Sequence, residues 1–178
     1  MEEFIAGYRD LQDTEEEKFE RSLRERFGSN FSVYSDSQIT IQSSQIKIFD
    51  DVVIAFNGYL LDSDSPEKTI AELYREKGVS FPESIDGNFR ALVYDSERDR
   101  IVLITDKTSN RMMYYSNNDG NLVFASKISP FLPVVGAELS RKGLRKFLIS
   151  PFSTGFSGGK TLLEGVNKMN PAEILVDS

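Results

Sequence analysis

The run Gly155-Phe156-Ser157-Gly158-Gly159-Lys160-Thr161 has the residue types that cradle a phosphate: a glycine-rich turn ending in Lys-Thr. A phosphate loop needs Gly, four residues, then Gly-Lys-Thr, and the place of that first Gly is taken by Thr154. No strand pattern precedes the run, and residues 162–165 are too short for the helix whose N-terminus would hold the anion. Ser157-Gly158-Gly159 also lacks the Asp-Ser that completes an adenylating pyrophosphatase loop. Carboxylates that could work as acid and base are plentiful. Asp50 with Asp51, and Asp62 with Asp64, nevertheless stand in turn contexts, where short polar side chains bond nearby backbone. Asp62, Asp64 and Glu67 lack the glycine and spacing of a calcium loop, so no metal site is expected.

Two absences exclude more. The chain has no Cys, hence no disulfide, thiolate nucleophile or thiolate metal site, and no His, hence no imidazole base or ligand. With 21 Lys and Arg against 28 Asp and Glu the net charge is −7, which argues against nucleic-acid phosphates or an anionic membrane as partners. The start, MEEFIAGYRD, lacks the basic region and apolar core of a secretory signal. No apolar run approaches the roughly 18–20 residues that span a bilayer. A cytoplasmic protein without cofactor is expected. The 178 residues suit one domain over 1–178, and 39% hydrophobic with 28% charged residues is an ordinary globular composition.

The elements follow from periodicity. Thr14 with Glu17 reads as a capping box, and Phe19, Leu23 and Phe27 then recur every fourth residue, predicting a helix over 14–27 that ends at Gly28. Three short strands are predicted at 39–41, 46–48 and 52–56. Pro66 opens a second helix that carries Ile70, Leu73 and Tyr74 inward and stops at Gly78. Four more strands are predicted at 89–94, 101–105, 112–115 and 122–125, with turns at 96–100 and 117–120. Helical stretches around 127–132 and 140–149 and a last strand at 173–176 complete the chain. Strict β/α alternation is absent, so an α+β layered sandwich of two face-to-face sheets is expected rather than a doubly wound sheet, with helices 14–27 and 66–77 on one side and the segment 140–149 elsewhere.

Several strings together resemble the class II glutamine amidotransferase domain, the N-terminal glutaminase of asparagine synthetases. Thr105-Asp106-Lys107-Thr108-Ser109-Asn110-Arg111-Met112-Met113-Tyr114-Tyr115 is similar to R-D-x-x-G-x-x-P-L-Y-Y. Asp119-Gly120-Asn121-Leu122-Val123-Phe124-Ala125-Ser126-Lys127-Ile128 is similar to D-G-x-L-x-F-A-S-E-I. Lys160 to Pro171 resembles the T-L-F-E-G-I-x-K-L-P-P segment, Asp86-Gly87-Asn88-Phe89-Arg90-Ala91 resembles D-G-x-F-A, and Phe56-Asn57-Gly58 resembles F-N-G-E. Ile5-Ala6-Gly7 resembles the I-A-G of a first strand that begins Met-Cys-Gly. The likeness covers most of the chain, above all from Asn57 onward.

The resemblance implies a four-layer αββα sandwich of the N-terminal-nucleophile hydrolase type. In that family a terminal Cys attacks the glutamine amide, its own amine is the base, an Asn-Gly pair holds the oxyanion, and an Arg and an Asp hold the substrate. Carried over by position, Asn57 and Gly58 match the oxyanion pair, while the nucleophile position falls on Glu3 and the following Glu on Tyr59. The substrate Asp aligns beside Pro66, with Asp64 nearest. No Arg occurs between Arg26 and Arg75, so the carboxylate clamp is missing. The first Ser or Thr, Thr14, heads a helix rather than a strand, which leaves no substitute nucleophile at the start.

Taken together, these substitutions imply no catalytic residues and a degenerate glutaminase-like domain. It would serve as a scaffold or as the N-terminal part of an ATP-dependent amide-forming synthetase, in cis or in trans, as in β-lactam synthetases and lasso-peptide cyclases. Asp106, Arg111, Tyr114 and Tyr115 are then expected to be turn groups and aromatics of a central strand. Phe4 and Tyr59 are expected to fill the vacated site, so that the pocket around Phe4, Asn57, Gly58 and Tyr59 is closed or much reduced with no affinity for glutamine, and any pocket that remains is bounded by Phe4, Tyr59, Asp64 and Asp86. Two other readings stay open: a different enzyme using a pocket near Asn57, Gly58 and Asp86, or a stand-alone binding or dimerisation module that self-associates through an exposed apolar patch.

Overall fold

The computed structural model describes residues 3–118, 120–149 and 159–178, and the run 155–158 and Asp119 lie outside them. Two antiparallel sheets carry the fold. The first has the order β10 (Asn167–Lys168), β8 (Tyr114–Asn118), β9 (Asn121–Ala125), β1 (Ile5–Arg9), β3 (Thr40–Ser43), β2 (Ser32–Ser35). The second runs β11 (Ile174–Asp177), β7 (Arg100–Thr105), β6 (Gly87–Asp95), β5 (Val52–Leu60), β4 (Ile46–Phe49).

Alternation along the strands divides the core into layers. Val53, Ala55, Leu92, Tyr94, Ile101 and Leu103 of the second sheet meet Ile5, Ile41, Leu122 and Phe124 of the first. Their neighbours in sequence, Ile54, Phe56, Ala91, Val93, Val102 and Ile104, point the other way and receive Ile70, Ala71 and Tyr74 of helix α2 (Pro66–Lys77). On the far face of the first sheet, Phe4, Ala6 and Tyr8 meet Phe19 and Leu23 of helix α1 (Asp13–Phe27). A side chain on Gly7 would overlap the Thr40 carbonyl and the Phe124 ring, so glycine lets the central strand seat against its neighbours. Each large side chain so buried stabilises by roughly 1.5–3 kcal/mol. The order of layers is helix, sheet, sheet, helix.

Two further helices, α3 (Leu132–Val135) and α4 (Arg141–Ile149), follow β9. No helix among the described residues is long and apolar enough to cross a membrane.

Several expectations are corrected. The helices 14–27 and 66–77 cover opposite faces of the sandwich, not one side, because each packs on a different sheet. Thr14 lies inside α1 and makes no capping bond; the Gln12 carbonyl instead accepts from the N–H groups of Glu15 and Glu16 at 2.8 and 2.9 Å. Acidic Asp13, Glu15 and Glu16 still favour that end through the helix dipole. The stretch 127–132 is a single 3-10 turn at Ser129–Phe131 running into α3, with Pro130 at its start. The strand expected at 112–115 begins at Tyr114 and includes Asn117 and Asn118, and it lies beside the short edge strand β10 rather than at the sheet centre. Strands β2 and β10 carried no apolar alternation to reveal them: β2 is mostly exposed and β10 has 2 residues.

Candidate functional site

Strands β5 and β6 pair so that Asn57 stands opposite Arg90 and Gly58 opposite Phe89. Gly58 has φ of 119°, and a Cβ there would overlap the Asn88 carbonyl, so only glycine lets the two backbones come this close. The buried Asn57 amide is fully engaged. Its Nδ2 donates to the Phe56 carbonyl at 2.8 Å and to Ser44 Oγ at 3.2 Å, while its Oδ1 accepts from Arg90 Nε at 3.0 Å. The rest of that guanidinium reaches across to the other sheet, donating through Nη2 to the Glu3 carbonyl at 2.5 Å and through Nη1 to the Met112 carbonyl at 3.1 Å. Arg90, only 6% exposed, is thus a strut between the Asn-Gly pair of β5 and the chain entering β1.

The Glu3 carboxylate turns outward and pairs with Arg111 Nη1 at 2.5 Å, and Arg111 Nε donates to Asn88 Oδ1 at 3.1 Å. Beside this pair opens a cavity of about 420 Å³ lined by Glu3, Arg90, Asn110, Arg111, Met112, Tyr114, Ser126, Lys127 and Ile128. Ser44 Oγ, which accepts from Asn57 Nδ2, has only the Phe4 backbone and the Asn57 amide as partners among the described residues. Among the described residues no carboxylate or amine hydrogen-bonds to it to take its proton.

The pocket expected from Phe4, Tyr59, Asp64 and Asp86 is not assembled. Phe4 points to the helix side, stacked on Phe27 with ring centroids 4.1 Å apart and edge-on to Phe31. Tyr59 is 55% exposed and Asp64 is exposed. Asp86 pairs at the surface with Lys107 at 2.6 Å, and that hydrogen bond, helped by the Gly87 N–H, holds its carboxyl below the usual range. Asp106 is a buried turn group: Oδ1 accepts from the N–H groups of Thr108 and Ser109, and Oδ2 from that of Phe89. Ser109, where the motif has Gly, keeps a positive φ of 49°. Asp62, Asp64 and Glu67 form no metal cluster, Glu67 being paired with Lys47 at 2.9 Å; among the described residues no such cluster occurs.

A family model described as the glutamine amidotransferase domain matches residues 53–178. The chain belongs to this family. Among curated proteins, the glutamine amidotransferase domain is similar to asparagine synthetase [glutamine-hydrolyzing] 2 of Bacillus subtilis (strain 168), at 24% identity over 92 residues, 52% of this chain and 12% of that protein. It is also similar to the amidase chry2 of Gibberella zeae, at 27% identity over 108 residues, 60% of this chain and 15% of that protein. The match therefore spans a small part of either relative. Among solved structures it resembles glutamine phosphoribosylpyrophosphate amidotransferase from B. subtilis in complex with ADP and GMP (TM-score 0.54, 12% identity, 72% of this chain and 42% of that one). An allosteric regulatory enzyme of purine biosynthesis gives a TM-score of 0.53 at 13% identity, over 74% of this chain and 43% of that one. These likenesses support the N-terminal-nucleophile-hydrolase type of α+β sandwich.

Of the residues of this amidotransferase domain singled out from the sequence, Asn57 and Gly58 stand together, with Glu3 joined to them through Arg90. Sequence reasoning missed Arg90 and gave Arg111 a turn role, although it reaches Glu3 and Asn88. For Arg90 a signal existed: it is the one charge in the apolar run 89–94, at the position where D-G-x-F-A has Ala.

Proposed function

We propose that this glutamine amidotransferase domain does not hydrolyse glutamine. It serves as a scaffold, or as the N-terminal part of an ATP-dependent amide-forming synthetase acting in cis or in trans. One observation carries the reading: the side chain that would stabilise an oxyanion, Asn57, spends both amide hydrogens on Phe56 and Ser44 and its oxygen on Arg90. An oxyanion hole requires donors already aimed at the reacting oxygen and left free for it. The residue aligned with the nucleophile, Glu3, is a carboxylate held by Arg111, and the chain has no Cys at all. That the matched relatives extend well beyond the shared segment supports a synthetase partner. The Cys-free, acidic composition supports a cytoplasmic location.

The test is ammonia release from glutamine by purified protein. Losing one oxyanion donor costs about 10²–10³ in rate, and the nucleophile is lost as well, so the expected rate is the uncatalysed background. Ammonia release proportional to protein and abolished by Asn57→Ala would overturn the proposal.

A further inference from the structure

Helix α4 comes close to the body at Gly143. Gly143 lies so near the Thr161 carbonyl that a Cβ would overlap it, and Ser140 Oγ caps the turn through the Gly143 N–H at 3.2 Å. Several of its apolar side chains are exposed: Leu144, Leu148 and Ile149, the last two 68% and 72%, together with Leu139 just before it. The same helix carries Arg141, Lys142, Arg145 and Lys146 and no carboxylate, with Lys160 beside it. Among the described residues Lys142 and Arg145 are in no ion pair.

Next to this basic, apolar ridge is its complement. A groove of about 410 Å³ is lined in part by Leu11, Val134 and Val135 and by the carboxylates of Glu15, Glu138 and Glu164. None of these carboxylates is in an ion pair among the described residues. Ridge and groove meet on one ladder: Leu139 bridges Leu163, Ser140 N–H donates to the Leu162 carbonyl, and Glu164 N–H donates to the Glu138 carbonyl.

We propose that a second copy of this chain occupies these surfaces, in a twofold dimer where α4 of each copy lies in the acidic groove of the other. Two α4 helices facing each other would set like charges together, so the ridge does not pair with itself. A twofold axis between adjacent complementary patches satisfies both at once, and the interface closes instead of growing into a filament. Reciprocity doubles the buried area, toward the roughly 1,200 Å² of a stable interface. An anionic membrane suits α4 less well, because the chain as a whole carries −7 and would be repelled. The proposal does not depend on the catalytic reading.

Sedimentation equilibrium of the full chain at micromolar to hundred-micromolar concentration tests it. The expected mass is twice the 20.1 kDa monomer, falling toward the monomer as salt rises. The surface variant Lys142→Glu/Arg145→Glu and the variant Glu138→Lys/Glu164→Lys should each be monomeric with unchanged circular dichroism, while an equimolar mixture should restore the dimer. A monomeric wild type, or a dimer indifferent to both charge reversals, would overturn it. So would binding of the monomer to phosphatidylserine vesicles through α4, which would assign the ridge to a bilayer.

Discussion

Arg90→Met is expected to lower the midpoint of thermal unfolding by about 10 °C. The substitution keeps much of the side chain's length but removes the donors that reach Asn57 Oδ1 and the carbonyls of Glu3 and Met112. A buried acceptor left without its partner costs about 1–3 kcal/mol, and these groups share one donor, so their losses do not add fully. A total of about 3–5 kcal/mol, at roughly 2–4 °C per kcal/mol for a chain of this size, gives that shift. Differential scanning calorimetry of the two proteins measures it. A loss below about 1 kcal/mol would show that the guanidinium is no strut, and the case for a site given over to structure would fall with it.

The reach of that side chain also shows where sequence reasoning stopped. The motif F-N-G drew attention to Asn57 and Gly58, but the role of Arg90 depends on Glu3, 87 residues away in the chain and just before the first strand of the other sheet. Nothing local encodes such a meeting. The strands β5, β6 and β7 were legible because both their faces are buried in period two, Val53 and Ala55 inward, Ile54 and Phe56 outward. The helices α1 and α2 were legible from their apolar stripes, yet a stripe states which face is buried and not which sheet it covers. For Phe4 the answer lay in parity: it shares a side with Ala6 and Tyr8, the helix-facing residues of the first strand, and so could not enter the space between the sheets.

Replacing Asp95 is the other change expected to cost most, and its effect should depend on pH. The fully buried carboxylate accepts from Tyr74 Oη at 2.9 Å, from Arg98 Nη1 at 2.7 Å and from the Arg98 N–H at 3.0 Å, tying α2 to the end of β6 and to the turn after it. Arg98 itself is half exposed, so solvent screens its share and most of the value lies in the Tyr74 and turn bonds. Asp95→Ala should therefore cost about 2–4 kcal/mol at pH 7, against less than about 1 kcal/mol for Arg98→Ala. Burial alone would raise the Asp95 carboxyl, but the Arg98 and Tyr74 hydrogen bonds outweigh it and hold the group below its ordinary value. A carboxyl lowered by folding contributes above the unfolded pKa of about 3.9 and loses that contribution as pH falls through the folded value. On the alkaline side, burial and then Asp95 push Tyr74 up to about 12. That raised phenol stabilises fully below about pH 10 and loses its contribution as pH climbs toward 12. Urea unfolding of wild type and Asp95→Ala at pH 7, 5 and 3 should show the gap between them steady from 7 to 5 and narrowing by pH 3. A gap that holds or widens at pH 3 would mean that the ionised carboxylate is not what these bonds stabilise.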